Sequence, residues 1–127
     1  MQIIGIGTDI TECARIDRML RQHGNRFLAH VFTEHEIAYS SQRKRDTEHF
    51  TGRWAAKEAA LKALGTGWIA GISWKDVEVV NEFSGKPVLK LTGGAEKIAR
   101  DKGIDEILIT ISHCQAYAVA YAVAVRK

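Results

Sequence analysis

The chain has 127 residues, of which 46% are hydrophobic and 26% are charged, a composition typical of one compact domain over residues 1–127. No stretch approaches the roughly 20 apolar residues of a membrane-spanning helix, so we expect no membrane partner. The net charge of +3 favours anionic partners but is far below that of a histone-like protein. The start lacks the features of a secretory signal, and the only cysteines are Cys13 and Cys114, so the expected location is the cytoplasm.

The first predicted element is a buried strand from Gln2 to Thr8, rich in isoleucine and interrupted by two glycines. A helix is predicted to follow, with Asp9 as its N-cap and Glu12 three residues later in the pattern of a capping box. Apolar residues then recur at helical spacing as far as Phe27. The opposite side of this helix, the arginine face, carries Arg15, Arg18 and Arg21. Such a face is either a solvated surface or a docking surface for an acidic protein.

A second capping box, formed by Thr33 and Glu36, precedes a short helix that is predicted to run through Tyr39. The polar segment from Ser40 to Glu48 is predicted to be a loop. A long helix comes next, with apolar residues at helical intervals in an alanine-rich run: Phe50, Trp54, Leu61 and Leu64. Gly65 is expected to end this helix as its C-cap.

The second half of the chain predicts a hairpin of strands 77–80 and 88–91, a helix over 95–102, and two final strands over 106–112 and 116–125. Alanine occupies every second position of the last strand, and tyrosine or valine occupies the others, so both of its faces are apolar. Because an antiparallel sheet usually leaves one face to water, we expect helices on one face and a neighbouring subunit on the other. The predicted fold class is α+β, with an antiparallel sheet packed on the long helix.

Four charged residues interrupt the long helix: Arg53, Lys57, Glu58 and Lys62. Glu58 and Lys62 are four residues apart, so an intrahelical ion pair explains them without any function, just as an N-cap explains Asp9. Alternatively, the carboxylates of Asp9 and Glu58 hold one Mg²⁺ ion, which commonly takes one or two protein carboxylates and draws its other ligands from water and phosphates. Lys62 would then contact a phosphate beside the metal.

Two further motifs give weaker signals. Gly65, Thr66 and Gly67 follow a helix, whose C-terminus carries partial negative charge, so they do not form a Walker-type phosphate loop. They are a helix stop that can also lie close to a ligand. Ser112 and His113 lie in or beside a turn between strands, where a lone histidine is usually structural.

Together these segments resemble the holo-acyl-carrier-protein synthase family. The resemblance rests on five motifs in the expected order: Ile4 to Ile10, Phe32 to Glu36, Arg53 to Gly67, Gly85 to Pro87, and Ile111 to His113. It covers nearly the whole chain, and the combination is much more specific than any single motif. Thr110 stands where family members often have serine.

The resemblance implies transfer of the 4′-phosphopantetheine arm of coenzyme A to a serine of an apo acyl carrier protein, with release of adenosine 3′,5′-bisphosphate, in support of fatty acid biosynthesis. Asp9 and Glu58 would bind Mg²⁺, Lys62 would stabilise a phosphate, and either Glu58 or a metal-bound water would be the base. The resemblance also implies a set of residues that line the coenzyme A site: Arg53, Lys62, Gly65, Thr66, Gly67, Pro87, Ser112 and His113.

Short members of this family resemble homotrimers with active sites between subunits, which agrees with a last strand that is apolar on both faces. The arginine face would then meet the acidic carrier protein. The alternative is a non-catalytic nucleotide- or nucleic-acid-binding module, suggested by the basic run Arg43 to Arg45. No aromatic platform accompanies a basic strand, so we expect no nucleic-acid partner. A purely structural oligomerisation domain leaves the charges of the long helix unexplained.

Overall fold

The computed structural model describes residues 1–69 and 71–127. Its strands are β1 (Gln2–Glu12), β2 (Val77–Asn81), β3 (Pro87–Leu91), β4 (Glu106–His113) and β5 (Tyr117–Arg126). Its helices are α1 (Cys13–His23), α2 (Asn25–Val31), α3 (Glu34–Ser41), α4 (Asp46–Leu64) and α5 (Gly93–Asp101), with one 3₁₀ turn at Trp74–Asp76. An antiparallel sheet has the order β1-β5-β4, and β2 and β3 form a separate hairpin. The predicted α+β class is confirmed.

The long helix α4 packs on the sheet through small side chains. The alanines of β5 at 118, 120, 122 and 124 are buried together with alanines of α4, so helix and sheet approach closely. On the neighbouring strand β1, a Cβ atom on Gly5 would lie 2.1 Å from the carbonyl oxygen of Ala63, and one on Gly7 would lie 2.1 Å from that of Ala59. β1 therefore reaches the backbone of α4 only because both residues lack a side chain.

The prediction for the start of the chain was wrong at Asp9. β1 continues to Glu12, since residues as far as Glu12 pair with β5, and Asp9 lies opposite Ala120 within the ladder. Asp9 is therefore not an N-cap, and the helix begins at Cys13 without a side-chain cap. The predicted apolar stripe to Phe27 is divided between two helices by Gly24, whose φ of 51° breaks the helical path.

The middle of the chain follows the prediction more closely. Thr33 Oγ1 accepts a hydrogen bond from the backbone of Glu36 at 3.2 Å, and Glu36 Oε1 accepts one from the backbone of Thr33 at 2.8 Å, which confirms the capping box. The predicted loop from Ser40 to Glu48 is shorter than expected, because α3 ends at Ser41 and α4 begins at Asp46. Gly65 has a φ of 81° and ends α4, as predicted.

The face of the sheet opposite α4 is apolar and uncovered in the single chain. We call it the open face and define it by Ile6, Ile10, Leu108, Tyr117 and Tyr121. Ile6 is 71% exposed, Ile10 65% and Tyr121 55%. In the described part of the chain, none of the helices combines the length and hydropathy required for a membrane span.

Candidate active site

Asp9 lies at the contact between β1 and α4. Its partner across the sheet, Ala120, belongs to the alanine face that α4 covers, and its side chain is only 15% exposed. Thr11 Oγ1 donates a hydrogen bond to Oδ2 at 2.6 Å, and Lys62 Nζ lies 3.6 Å from Oδ1. Lys62 Nζ also donates to the carbonyl oxygen of Thr8 at 2.8 Å. Asp9 and Lys62 are far apart in sequence, and they meet because Gly5 and Gly7 allow β1 to approach α4 closely.

Glu58 lies one helical turn before Lys62 and does not pair with it. Its Oε1 atom accepts a hydrogen bond from the indole Nε1 of Trp68 at 3.3 Å, whereas the ammonium of Lys62 is engaged by Asp9 and Thr8. The intrahelical ion pair that accounted for the two charges without a function is therefore wrong. Lys62 lies instead between two elements, beside one of the two predicted metal ligands.

The residues of this site fit a magnesium ion. Carboxylate oxygens are the ligands that Mg²⁺ prefers, and one or two of them suffice when substrate phosphates and water supply the rest. Within residues 1–69 and 71–127, three or more histidine, cysteine or acidic side chains do not gather into a metal site. The ammonium group of Lys62 at Oδ1 of Asp9 indicates a position where positive charge is stabilised.

Lys57, the next charged residue of α4, has a structural role. It is fully buried, pairs with Glu36 at 2.9 Å, and donates hydrogen bonds to the carbonyl oxygens of Val77 at 2.7 Å and Trp74 at 3.1 Å. Burial lowers the pKa of Lys57, and the negative charge of Glu36 opposes that effect. A buried pair of this kind is costly to break, about 3 to 5 kcal/mol when one partner is removed. Lys57 therefore fixes α3 and the 3₁₀ turn against α4.

Arg53, Pro87 and His113, which sequence analysis predicts in one binding site, line a single cavity of about 130 Å³. Arg53 is 4% exposed, donates through Nη2 to Asn81 Oδ1 at 2.5 Å, and lies 4.0 Å from the ring centroid of Tyr39. Burial lowers its pKa. Its Nε atom is buried without a hydrogen-bond partner among the described residues, and the positive charge of the guanidinium suits an anionic ligand in the cavity.

One of the two histidines that line this cavity, His49 and His113, is held by an acidic side chain. His113 Nδ1 lies 2.8 Å from Oε1 of Glu48, a residue assigned to a loop in the sequence analysis and found on α4. The ring of His49 lies 5.0 Å from that of His113. Burial, followed by the charges of His113 and Arg53, lowers the pKa of His49.

The remaining predicted residues lie elsewhere. Gly65, Thr66 and Gly67 follow the C-terminal end of α4, which places Gly65 about 18 Å along the helix from Arg53, at 1.5 Å per residue. Glu58 and Lys62 lie between them along the helix, but at 3.6 residues per turn Lys62 projects from the side of α4 opposite Arg53, so these residues do not share one face of the helix. Ser112 pairs with Val119 on the open face, whereas His113 pairs with Ala118 on the α4 side. Ser112 and His113 therefore do not line one site within a single chain.

The arginine face is exposed, but its members differ. Arg21 forms an ion pair with Asp17 at 2.8 Å, and the guanidinium of Arg15 lies 5.3 Å from the ring centroid of Trp54. Arg18 is exposed.

Trp68, which donates a hydrogen bond to Glu58, is a residue of this site that sequence reasoning missed. The signal that could have found it was an aromatic residue directly after the glycine turn, in a chain with only three tryptophans.

Comparison with known proteins identifies the family. A model of the 4′-phosphopantetheinyl transferase superfamily matches residues 5–122. The chain belongs to this superfamily. It is 46% identical over 120 residues to the holo-(acyl-carrier-protein) synthase of Protochlamydia amoebophila, and the match covers 94% of this chain and 96% of that protein. Membership of a transferase superfamily argues against the alternative of a non-catalytic nucleotide- or nucleic-acid-binding module.

Solved structures of the superfamily share the fold. The holo-(acyl-carrier-protein) synthase of Neisseria meningitidis superposes with a TM-score of 0.90 at 30% identity, covering 98% of this chain and 100% of that one. The holo-(acyl-carrier-protein) synthase of Bacillus anthracis, solved in complex with CoA (3′,5′-ADP), has a TM-score of 0.82 at 36% identity, with 100% of both chains covered. The phosphopantetheinyl transferase fold predicted from the motifs is thereby confirmed.

Proposed function

We propose that this protein transfers the 4′-phosphopantetheine group of coenzyme A to a serine of an apo acyl carrier protein, in support of fatty acid biosynthesis. The products are holo acyl carrier protein and adenosine 3′,5′-bisphosphate. The observation that carries the proposal is the contact of Lys62 with Asp9 where β1 packs on α4, one helical turn from Glu58, in a chain that matches holo-(acyl-carrier-protein) synthases over nearly its whole length.

Asp9 and Glu58 would hold Mg²⁺ against the pyrophosphate of coenzyme A. When bound, the ion neutralises the charge that develops as the phosphoanhydride bond breaks. Thr11 fixes one oxygen of Asp9 and so leaves the other directed towards the ligand. Lys62, which is 53% exposed, is long enough to leave Asp9 and contact the transferring or leaving phosphate.

The reaction exchanges one phosphorus–oxygen bond for another. The carrier serine oxygen attacks the phosphorus that bears the pantetheine arm, and the bond from that phosphorus to the oxygen of adenosine 3′,5′-bisphosphate breaks. The serine proton passes to a base, for which Glu58 is the candidate within the chain. Most of the catalysis in such a transfer comes from positioning and charge stabilisation, which is the role we assign to the three residues.

Other residues of the chain would bind the rest of coenzyme A. The cavity lined by Arg53, Pro87 and His113 contains the guanidinium group of Arg53, whose positive charge suits a phosphate of the adenosine end. Gly65 to Gly67 would flank the ligand at the other end of the helix. The exposed residues of the arginine face would meet the acidic carrier protein and mainly speed their encounter.

We also propose that the enzyme is a homotrimer with active sites between subunits. A cavity of about 130 Å³ is smaller than the roughly 300 to 1,000 Å³ of ordinary ligand pockets, so one chain leaves most of coenzyme A uncovered. The open face is the apolar surface available for a neighbouring copy, and Ser112 lies on it. Two free cysteines suit a reducing compartment, and we place the reaction in the cytoplasm.

The transfer itself is tested by incubating the protein with coenzyme A, Mg²⁺ and an apo carrier protein and then weighing the carrier by mass spectrometry. We expect the carrier to gain the mass of phosphopantetheine, and the gain to disappear when the acceptor serine is replaced by alanine. Several apo carriers that all keep their original mass under these conditions would overturn the proposed function.

A further inference from the structure

Three tryptophans form a continuous stack beside the candidate active site. The rings of Trp54 and Trp74 have centroids 4.3 Å apart and planes inclined by 28°. The rings of Trp74 and Trp68 have centroids 3.8 Å apart and planes inclined by 34°. Trp54 belongs to α4 and is buried, so the stack has one end on the helix that carries Glu58. Stacked aromatic rings of this kind restrict each other's orientation.

The middle member of the stack is held by a second residue of α4. The carbonyl oxygen of Trp74 accepts a hydrogen bond from the buried ammonium of Lys57 at 3.1 Å. Ser73 and Asp76 close a capping box around the same 3₁₀ turn. These contacts restrict the movement of Trp74, and its ring packs against the ring of Trp68.

The far end of the stack returns to α4 at Glu58. Gly65 and Gly67 have positive φ angles of 81° and 61°, conformations that favour glycine, and they turn the chain back over the helix. The indole Nε1 of Trp68 then donates to Oε1 of Glu58 at 3.3 Å. Trp54 and Glu58 are four residues apart on one helix. The series of contacts from Trp54 through Trp74 and Trp68 to Glu58 therefore begins and ends on the same helix, α4.

We propose that Trp68 is a positioning residue that occupies Oε1 of Glu58 with its indole N–H and so presents Oε2 to the ligand. Oε2 has no hydrogen-bond donor within residues 1–69 and 71–127. A carboxylate held in this way favours binding a metal through its free oxygen, since the other oxygen already accepts a hydrogen bond. Outer-shell hydrogen bonds are known to orient metal-binding side chains in this manner. The inference rests on the proposed role of Glu58 as a magnesium ligand.

The hydrogen bond is tested without any measurement of activity. A ¹H–¹⁵N correlation spectrum of the protein resolves its indole N–H groups, and Trp68→Phe identifies the signal of Trp68 by its disappearance. We expect Glu58→Gln to move this signal upfield, since an amide oxygen is a weaker acceptor than a carboxylate, while the signals of Trp54 and Trp74 move less. A Trp68 signal that stays in place when Glu58 is replaced would overturn the inference.

Its consequence is tested by the Mg²⁺ concentration that gives half-maximal transfer. Trp68→Phe keeps an aromatic ring in the stack and removes the N–H, so we expect the required Mg²⁺ concentration to rise by about 10- to 100-fold, the usual effect of losing an outer-shell partner. Trp74→Phe removes an indole N–H from the same stack without touching Glu58 and is the matched control. Its Mg²⁺ requirement should stay near that of the parent. Urea unfolding of both variants checks that the fold is retained.

The two proposals fail in different ways. If Glu58→Gln loses transfer but Trp68→Phe keeps the parent Mg²⁺ requirement, the inference on Trp68 is wrong and the proposed function stands. If Glu58→Gln itself transfers at a near-normal rate, Glu58 is not a metal ligand, and both the proposed site and the role of Trp68 are overturned.

Discussion

Asp9 and Glu58 each contact a residue outside their own stretch of sequence, Lys62 and Trp68. Asp9 reads as a helix cap when only its neighbours are considered, yet it lies inside a strand, where Thr11 and Lys62 hold its two oxygens. Glu58 reads as half of an ion pair with Lys62, yet it bonds to Trp68. Local spacing predicted which residue types could carry chemistry. It did not predict Lys62 and Trp68 as their partners, because these two contacts depend on how β1 and the glycine turn approach α4.

At the same scale, His49 predicts a pH dependence of stability. Burial and nearby positive charges lower its pKa from the usual 6.5, so below that pH the unfolded chain takes up a proton that the folded chain resists. His49 should therefore make the protein less stable as the pH falls from about 6.5. We expect the urea midpoint of the parent to fall more between pH 7.5 and pH 5.5 than that of His49→Gln. Equal decreases in the two proteins would contradict this assignment.

The long helix α4 organises the molecule at the scale of elements. Its small residues allow the sheet to pack closely against it, and its charged residues contact three different neighbours. The helix begins at Asp46 and ends at the predicted glycine cap. Its apolar spacing made it predictable from sequence. The extent of β1 was not predictable from its own residues, because the strand ends where its pairing with β5 ends, at Glu12 opposite Tyr117.

Gly7 carries a prediction about this packing. In Gly7→Ala the new Cβ would lie 2.1 Å from the backbone oxygen of Ala59, so β1 must move away from α4 and carry Asp9 with it. Overpacking of this kind costs about 1 to 3 kcal/mol, and we expect chemical denaturation to report that loss. Transfer should fall by more than the unfolded fraction explains.

A matched glycine on α4 serves as the control. In Gly52→Ala the new Cβ meets only the side-chain Cγ2 atom of Ile111, at 3.0 Å, and alanine favours the helix by roughly 0.5 to 1 kcal/mol. Its stability should stay close to that of the parent. A Gly7→Ala variant as stable and as active as Gly52→Ala would show that the close approach of β1 is not required.

At the scale of the whole molecule, the sheet has one covered face and one open face. The alternation of alanine with tyrosine and valine along β5 predicts this division, and burial of the alanines on α4 confirms the covered half. Sequence analysis did not assign Ser112 and His113 to opposite faces, because it ended the strand at residue 112. β4 continues through His113, and successive residues of a strand point to opposite faces. The proposed site between subunits would account for their separation.

The open face predicts the oligomeric state. Tyr121 is 55% exposed in the single chain, and a charge placed there would be desolvated in a subunit interface at a cost of several kcal/mol. We expect light scattering to give the parent a mass about three times the 14.1 kDa of one chain. Tyr121→Asp should give a folded species of lower mass and much weaker transfer. Phe83→Asp, at a fully exposed position of the hairpin loop, is the control and should keep the parent mass.

The central claim is that Asp9 and Glu58 hold the Mg²⁺ that activates coenzyme A. The most direct test is the Mg²⁺ dependence of carrier modification by Asp9→Asn and Glu58→Gln, with Asp101→Asn and Glu96→Gln on the exposed part of α5 as controls. We predict that each site variant stays folded and that its rate of carrier modification falls by more than the roughly 100-fold typical of losing an outer-shell partner. This loss should persist at every Mg²⁺ concentration, while the controls match the parent. A near-normal rate at saturating Mg²⁺ in either site variant would contradict the claim.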